Sequence, residues 1–275
     1  AENSVKILNP LSNELNVMRQ TLLFGGLEAI ARNINHKNAD LKFYENGNCY
    51  AYKETQSPNP LNAYREDARI ALFATGNNHS LTWNQQAEAT NFFTLKSLLE
   101  KLFLRVGVNL ANFKADEAPK DIFAEGLLFN ISKGKNILTF GTVAKNIRKI
   151  FDINQEVFFA EISLSAIVNF VRQDKVTYKE LARFPEVRRD LALVLDKDVN
   201  FTTLRDIAFK TERKLLKNVG LFDIYEGDKL PAGKKQYALS FIIQDEEKTL
   251  TDTHIEQIMT NLLNVFAKEV GATLR

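Results

Sequence analysis

The chain has 275 residues, 45% of them hydrophobic and 25% charged, a composition typical of a globular protein long enough for two domains. Its 36 basic and 34 acidic residues leave a net charge of +2, so a nucleic-acid partner would need a local basic patch. The single cysteine, Cys49, excludes an internal disulfide framework and, with no apolar run near the ~18 residues of a membrane span, favours a cytoplasmic protein without a membrane partner.

The first half of the chain alternates apolar runs with polar breaks. Apolar residues at helical spacing predict helices over residues 27–34, 92–106 and 164–171. Short apolar stretches predict strands over residues 41–44, 70–74, 126–131, 137–140 and 157–162. Because few helices separate these strands, we expect an α+β domain with a largely antiparallel sheet.

A polar break at residues 172–175 and a linker at 178–185 separate the two halves. Pro185 biases Phe184 toward an extended conformation, which is typical of a connecting segment. The sequence therefore predicts two domains, residues 1–173 and residues 182–275.

The second half has a simpler order of elements. Strands are predicted at residues 187–196, 219–226, 236–244 and 272–275. A helix over residues 203–217 begins with Thr203 and Asp206 as a capping box, and a second helix runs from Thr251 to about residue 270. The order βαββαβ is that of the ferredoxin-like fold.

Both helices of such a fold lie on one face of the sheet, because the crossovers are right-handed, and the other face is left open. Strand alternation divides the residues between the two faces. The residues expected in the core are Leu191, Leu193, Leu195, Phe222, Ile224, Tyr237, Leu239, Phe241, Ile243 and Leu274. The residues expected on the open face are Asp190, Ala192, Val194, Asp223, Tyr225, Gln236, Ala238, Ser240, Thr273 and Arg275. One aromatic ring, one cation and small polar residues make a platform for unstacked RNA bases, although a plain solvated face has the same composition.

Five ordered motifs of this half resemble one known domain. Residues 183–192 read RFPEVRRDLA, residues 221–227 read LFDIYEG, residues 234–240 read KKQYALS, residues 245–251 read DEEKTLT, and the chain ends in GATLR. These motifs resemble the anticodon-binding domain at the end of bacterial phenylalanyl-tRNA synthetase β subunits.

The resemblance extends over nearly the whole chain. NPLS at residues 9–12, FYENG at 43–47, NFFTLK at 91–96 and FAEI at 159–162 are similar to stretches of the same subunit's class II synthetase-like domain, while Phe24-Gly25 replaces the usual Leu/Phe-Pro. That domain has an antiparallel sheet and is not catalytic. Since the family's further N-terminal domains are missing and the chain does not start with Met, we expect an excised C-terminal fragment.

The resemblance implies a role in attaching phenylalanine to its tRNA. The first domain would pack on the catalytic α subunit in an α2β2 heterotetramer, and the second would bind the anticodon of tRNA-Phe. The assembled ligase would use ATP and Mg²⁺, whereas this fragment would bind no cofactor and be inactive alone. The resemblance places tRNA contacts at Ala192, Asp223, Tyr225, Gln236 and Arg275, of which Gln236 departs from the usual Ser.

Local cations beside the open face complete the expected interface. Lys234, Lys235, Arg188 and Arg189 are the candidates, and we assign Arg188 and Lys235 to tRNA binding. Basic and acidic residues are equal in number over residues 182–275, so the domain as a whole offers no positive field.

No catalytic or metal site is predicted. Gly141 and Arg148 have the end-to-end spacing of a class II ATP-binding stretch but lack its glycines, so a strand followed by a helix start is favoured. Tyr64-Arg65-Glu66 has the residue types of the ATP-clamping turn but precedes a strand, so we interpret it as a solvated loop. The three histidines are not spaced for zinc.

Two other functions remain open. One is a stand-alone RNA-recognition module, for which the signature strand is missing. The other is a small-molecule regulatory domain of ferredoxin-like type, for which no Gly-rich ligand loop is present.

Overall fold

A computed structural model describes residues 3–12, 15–131, 135–173, 183–228 and 230–275. The chain divides into two compact units, Ala1–Thr177 and Tyr178–Arg275. The linker expected at residues 178–185 lies mostly outside the described residues, so the domain limits drawn from the sequence stay a prediction.

The first unit is built on a six-stranded sheet. Its strands are β1 (Leu41–Tyr52), β2 (Tyr64–Thr75), β5 (Ala115–Glu117), β6 (Phe123–Ile131), β7 (Lys135–Val143) and β8 (Val157–Ser163), and β3 (Asn77–His79) and β4 (Glu88–Ala89) form a separate ribbon. The strand order is β1-β2-β8-β7-β6-β5, and every neighbouring pair is antiparallel. The expected antiparallel α+β architecture is confirmed.

Helices cover both faces of this sheet. They are α1 (Leu23–Asn35), α2 (Phe92–Arg105), α3 (Lys145–Ile150) and α4 (Leu164–Gln173), with short 3-10 helices at Pro60–Ala63 and Leu110–Asn112. The start of α2 is fixed by a capping box, in which the Asn91 side chain accepts from the N–H of Thr94 and the Thr94 hydroxyl accepts from the N–H of Asn91.

The central strand β8 separates two hydrophobic clusters. Phe159 lies in the cluster that contains Leu27 of α1, whereas Phe158 and Ala160 lie in the cluster that contains Leu99 of α2. Since successive side chains of a strand point to opposite faces, one apolar run fills both layers.

The second unit contains β9 (Val187–Asp196), α5 (Phe201–Thr211), β10 (Leu216–Tyr225), β11 (Lys234–Ile243), α6 (Asp252–Val270) and β12 (Thr273–Leu274). The order across the sheet is β10-β11-β9-β12, with all neighbours antiparallel. This is the arrangement of a ferredoxin-like fold, so the second part of the expected fold class is confirmed.

One layer of side chains joins this sheet to its two helices. Leu193 of β9 and Phe241 of β11 share a buried cluster with Leu204 of α5 and Phe266 of α6. The start of α6 is capped as expected, since the Thr251 hydroxyl accepts from the N–H of His254.

The limits predicted for the first helix of this unit are wrong. α5 begins after Asn200, so Thr203 lies inside the helix and forms no capping box. It ends at Thr211 because the Glu212 carboxylate accepts from the N–H groups of Lys214 and Leu215, both at 3.0 Å, and so forms a turn.

Candidate nucleic-acid interface

The open face of the second sheet lies opposite α5 and α6. In its middle, Asp223 of β10 is paired with Ala238 of β11, which is paired with Ala192 of β9. Two residues further along each strand, Tyr225 is paired with Gln236. Four of the residues assigned to tRNA binding, Ala192, Asp223, Tyr225 and Gln236, therefore lie together.

The C-terminal residue completes this cluster. The N–H of Arg275 donates to the carbonyl of Ala192 at 3.0 Å, which fixes the end of the chain beside β9. The Arg275 guanidinium donates to the side-chain oxygen of Gln236, and its central carbon lies 5.8 Å from the centroid of the Tyr225 ring. A cation, an aromatic ring and a buried amide thus form one contact group.

A β-bulge in β10 changes the predicted division between the two faces. Leu221 is paired with Leu239 and Asp223 with Ala238, so β10 advances two residues while β11 advances one. Phe222 is the extra residue, and inserting it interrupts the alternation. Phe222 is 55% exposed, so its assignment to the core is wrong.

The Phe222 ring meets a residue of the open face. The Arg188 guanidinium lies over it at 5.3 Å from the ring centroid, a cation–π geometry. Arg188 and Ala192 are four residues apart on β9, so their side chains lie on the same face of the sheet. Its Nε donates to Oδ1 of Asp190 at 2.9 Å and its Nη2 donates to Oδ2 at 3.3 Å.

Two other expected core residues are exposed. Ile224 is paired with Tyr237 on the helix-covered face, yet it is 54% exposed near the end of the edge strand β10. Leu274 is exposed because β12 is only two residues long and its position opposite Leu193 is at the sheet edge. Both assignments to the core are wrong.

Small residues keep the centre of the open face free of long side chains. Gly220 is paired with Ser240, and a Cβ at Gly220 would lie 2.8 Å from the Ser240 hydroxyl oxygen. Ser240 is paired in turn with Asp190. Together with Ala192 and Ala238, these residues leave room for a flat group against the sheet.

Lys235 is not on this face, and its expected position beside the open face is wrong. It is paired with Leu195, is buried, and donates from Nζ to the carbonyl of Lys197 at 2.9 Å, with Nζ 4.5 Å from the Tyr237 ring centroid. The reason is alternation: Lys235 shares a face with the core residue Tyr237. The other cations of this region have partners, since Lys234 pairs with Asp196 at 2.9 Å and Arg189 with Asp252 at 3.4 Å.

In the first unit, Arg148 does not fit an ATP-binding role. The expected strand followed by a helix start is confirmed, since β7 ends at Val143 and α3 begins at Lys145. The buried Arg148 guanidinium donates to the carbonyls of Val143 and Asn154, both at 3.2 Å, and to that of Gln155. Arg148 therefore ties the end of β7 to the segment that precedes β8.

The interpretation of Tyr64-Arg65-Glu66 as a loop is wrong. These residues begin β2 and pair with the end of β1 inside a long hairpin, Tyr64 opposite Tyr52. The sequence pattern places the segment before a strand at residues 70–74, but pairing along the whole of β1 extends that strand back to Tyr64. The Arg65 side chain is exposed and pairs with Asp67 at 2.9 Å.

Two neighbouring cavities of about 530 and 650 Å³ in the first unit share Arg69, Thr139 and Glu161 among their lining residues. Glu161 of β8 accepts from the Thr21 hydroxyl at 2.8 Å, from the N–H of Leu22 at 2.9 Å, and from Arg69. Burial alone would lower the pKa of Arg69, but the charge and hydrogen bond of Glu161 hold it above its usual value. These hydrogen bonds to Glu161 fasten the start of α1 to the sheet, while the buried Nε of Arg69 has no hydrogen-bond partner.

Within the part of the chain that the structure describes, no three His, Cys, Asp or Glu side chains are grouped to hold a metal ion. No helix of that part is both long and apolar enough to cross a membrane.

Comparison with known families is decisive for the first unit. Residues 1–164 match the sequence model of the phenylalanyl tRNA synthetase beta chain CLM domain. The chain belongs to this family. Residues 182–275 match the ferredoxin-fold anticodon binding domain, the part that contains the open sheet face. The resemblance found in the sequence motifs is confirmed.

Curated relatives support the same family over the full length of the chain. Phenylalanine–tRNA ligase beta subunits of Bacteroides fragilis and Porphyromonas gingivalis are 47% and 42% identical, each over 100% of this chain and 34% of the relative. That of Fusobacterium nucleatum is 31% identical over 98% of this chain and 33% of the relative. The chain therefore spans about a third of the length of these relatives.

Among solved structures, the chain is similar to the pyrrolysyl-tRNA synthetase of Desulfitobacterium hafniense. The TM-score is 0.45 at 11% sequence identity, and the match covers 62% of this chain and 54% of that chain. A similarity this weak supports no argument about function.

Proposed function

We propose that the chain acts as part of a phenylalanine–tRNA ligase and that the open face of its second unit binds the anticodon loop of tRNA-Phe. The observation that carries the proposal is the grouping of Tyr225, Arg275 and Asp223 around a small-residue floor, on a unit that matches an anticodon-binding family. Family membership favours this function over a stand-alone RNA-recognition module or a small-molecule regulatory domain.

Each residue of the group has a role that its chemistry fits. Tyr225 stacks on an anticodon base, a contact worth roughly 1–3 kcal/mol. Asp223 accepts hydrogen bonds from a base edge, since an anion there repels phosphate. Ala192 and Ala238 let the base lie flat against the sheet, and Arg275 contacts a base or a phosphate.

Gln236 and Arg188 act at the edges of the same surface. The Gln236 side-chain oxygen is engaged by Arg275, so Gln236 orients that guanidinium. Arg188 supplies a positive charge at the other end, and the proposed interface excludes Lys235, whose amino group is bonded on the helix-covered face.

The first unit is proposed to pack on the catalytic α subunit, in an α2β2 ligase that works in the cytoplasm. ATP, Mg²⁺ and phenylalanine are bound by the assembled enzyme, and this chain alone does not activate phenylalanine. The backbone partners of Arg148 support this part of the proposal, since they leave that residue with no role toward ATP.

The test is a charging assay on the chain purified together with its α subunit. We expect no phenylalanine-dependent ATP–pyrophosphate exchange by the chain alone and charging by the complex. Tyr225→Ala should raise KM for tRNA-Phe about tenfold, the effect of one lost stacking contact, with little change in kcat. Tyr225→Phe, which keeps the ring, should charge as well as the unchanged protein. An unaltered KM in Tyr225→Ala, or failure of the chain to associate with the α subunit, would overturn the proposal.

A further inference from the structure

Two aromatic–arginine pairs lie on the open face of the second unit. Arg275 lies over Tyr225 at 5.8 Å and Arg188 lies over Phe222 at 5.3 Å. The first pair was expected from strand alternation, which gives Tyr225 to this face. The second exists because the bulge turns Phe222 out of the core.

We infer that Phe222, with Arg188, is a second stacking site for an unpaired RNA nucleotide, beside the site proposed for Tyr225. The inference rests on the proposed RNA-binding function of this face. It extends the recognised surface from one nucleotide to two and assigns the second to a residue at which the resemblance places no tRNA contact.

The exposure of Phe222 is the first argument. A phenylalanine ring that is 55% exposed on a folded sheet gains little from burial, whereas a base covering it would remove apolar surface from water. Every nucleotide base has a π face, so such a ring binds single strands without needing a particular base.

The state of Arg188 is the second argument. Its ion pair with Asp190 is on the surface, where such pairs contribute little to stability and exchange readily. The guanidinium can therefore leave the carboxylate for a phosphate, or stack on the incoming base, at small cost. The same pair holds it beside the Phe222 ring when no RNA is present.

Spacing along β10 is the third argument. Phe222 and Tyr225 are three residues apart, which is at most about 10 Å at ~3.4 Å per residue, because the bulge at Phe222 shortens the strand. Neighbouring nucleotides of one single-stranded loop can bridge this distance. The residues between and beside the two rings, Asp223, Gly220 and Ser240, are small or able to hydrogen-bond to a base edge.

Ile224 provides a matched control on the same strand. It is 54% exposed, nearly the same as Phe222, but it is paired with Tyr237 on the opposite face. Truncating either residue removes a similar exposed apolar group. A difference in RNA binding between the two variants would therefore come from the sheet face and the aromatic ring, not from the loss of exposed apolar surface in general.

The experiment measures, by fluorescence anisotropy, the Kd of the 275-residue chain for a stem-loop RNA whose loop carries the anticodon GAA. The proteins are the unchanged chain, Phe222→Ala, Phe222→Leu, Phe222→Trp, Ile224→Ala and Tyr225→Ala, each checked for folding by thermal unfolding. An RNA of the same length with every loop base paired is the reference ligand.

We expect Phe222→Ala and Phe222→Leu to bind at least about fivefold more weakly, the lower limit for loss of one stacked base. Phe222→Trp should bind as tightly as the unchanged chain, and Ile224→Ala should not differ from it. Leucine keeps an apolar side chain at this position but removes the aromatic ring, whereas tryptophan keeps a ring. Weak binding by Phe222→Leu together with tight binding by Phe222→Trp would therefore show that the aromatic ring is required.

Other outcomes separate the inference from the proposed function. If Tyr225→Ala binds weakly while Phe222→Leu binds as well as Ile224→Ala, the second site does not exist and the proposed function stands. If Phe222→Trp and Phe222→Leu, both folded, lose binding equally, stacking on the ring is excluded. If the unchanged chain binds the looped and the fully paired RNA equally, both the inference and the proposed use of this face fail.

Discussion

Gly26 of α1 lies so close to Phe73 of β2 that a Cβ at Gly26 would be 2.0 Å from the Cζ atom of the ring. The ring cannot move away, because Phe73 is buried and packs against Phe43 and Phe159 with centroid distances of 5.1 and 5.0 Å. Gly26 therefore sets how closely the first helix approaches the sheet.

Two adjacent glycines test this contact. A Cβ at Gly25 would meet nothing within 4 Å, so Gly25→Ala should stabilise the chain by about 0.5–1 kcal/mol through helix propensity. Gly26→Ala gains the same propensity but should destabilise the chain by about 1–3 kcal/mol through overpacking. Urea denaturation measures both, and equal effects of the two substitutions would show that α1 does not press on Phe73.

The Glu161–Arg69 pair should stabilise the first unit by linking the start of α1 to the central strand. Glu161→Gln removes the hydrogen-bonded carboxylate partner of Arg69 and leaves only the Asp67 carboxylate, 3.7 Å away. We expect a loss of about 2 kcal/mol, less than for a fully buried pair because Arg69 is partly exposed. In a double-mutant cycle, Arg69→Met should cost less when it is combined with Glu161→Gln than when it is made in the unchanged protein. Strict additivity would mean that the two side chains do not interact in solution.

Cys49 should be unreactive in the folded protein. Burial and the nearby Glu161 carboxylate raise the pKa of the thiol from 9.0 to about 11, so little thiolate is present at about pH 8. We expect a maleimide to modify Cys49 much more slowly than a free thiol and to reach full rate only in denaturant. Rapid labelling of the native chain would contradict the burial of this residue.

The same thiol gives a pH dependence of stability. Its pKa is higher folded than unfolded, so from about pH 9 the unfolded state loses the proton first and the free energy of unfolding falls until about pH 11. Cys49→Ala should remove that part of the decline, measured by urea titrations across this range. An identical decline in the variant would assign it to other groups.

The regular helices and strands could be predicted because each buries one face, so apolar residues recur along the sequence with the period of the element. Strand β9 was predicted with its observed limits, 187–196, since Leu191, Leu193 and Leu195 alternate with polar or small residues. The end of α5 could not be placed, because Leu215 continues the helical spacing and the turn made by Glu212 depends on backbone contacts that the pattern does not contain.

The candidate site was predicted as far as strict alternation holds. Ala192, Asp223 and Tyr225 lie on the open face as expected, because pairing is regular along β9 and, after the bulge, from Asp223 to Tyr225. The position of Phe222 could not be predicted, because one inserted residue changes which side chains share a face. No residue type in LFDIYEG indicates a bulge at this point. Lys235 could have been placed correctly, because it is two residues from the core residue Tyr237.

The central claim is that the open face of the second unit binds the anticodon loop, and chemical footprinting of tRNA-Phe on the chain tests it most directly. The unchanged chain should protect the anticodon nucleotides, and Tyr225→Ala should lose that protection while Ile224→Ala keeps it. Protection confined to other parts of the tRNA, or anticodon protection that survives Tyr225→Ala unchanged, would contradict the account.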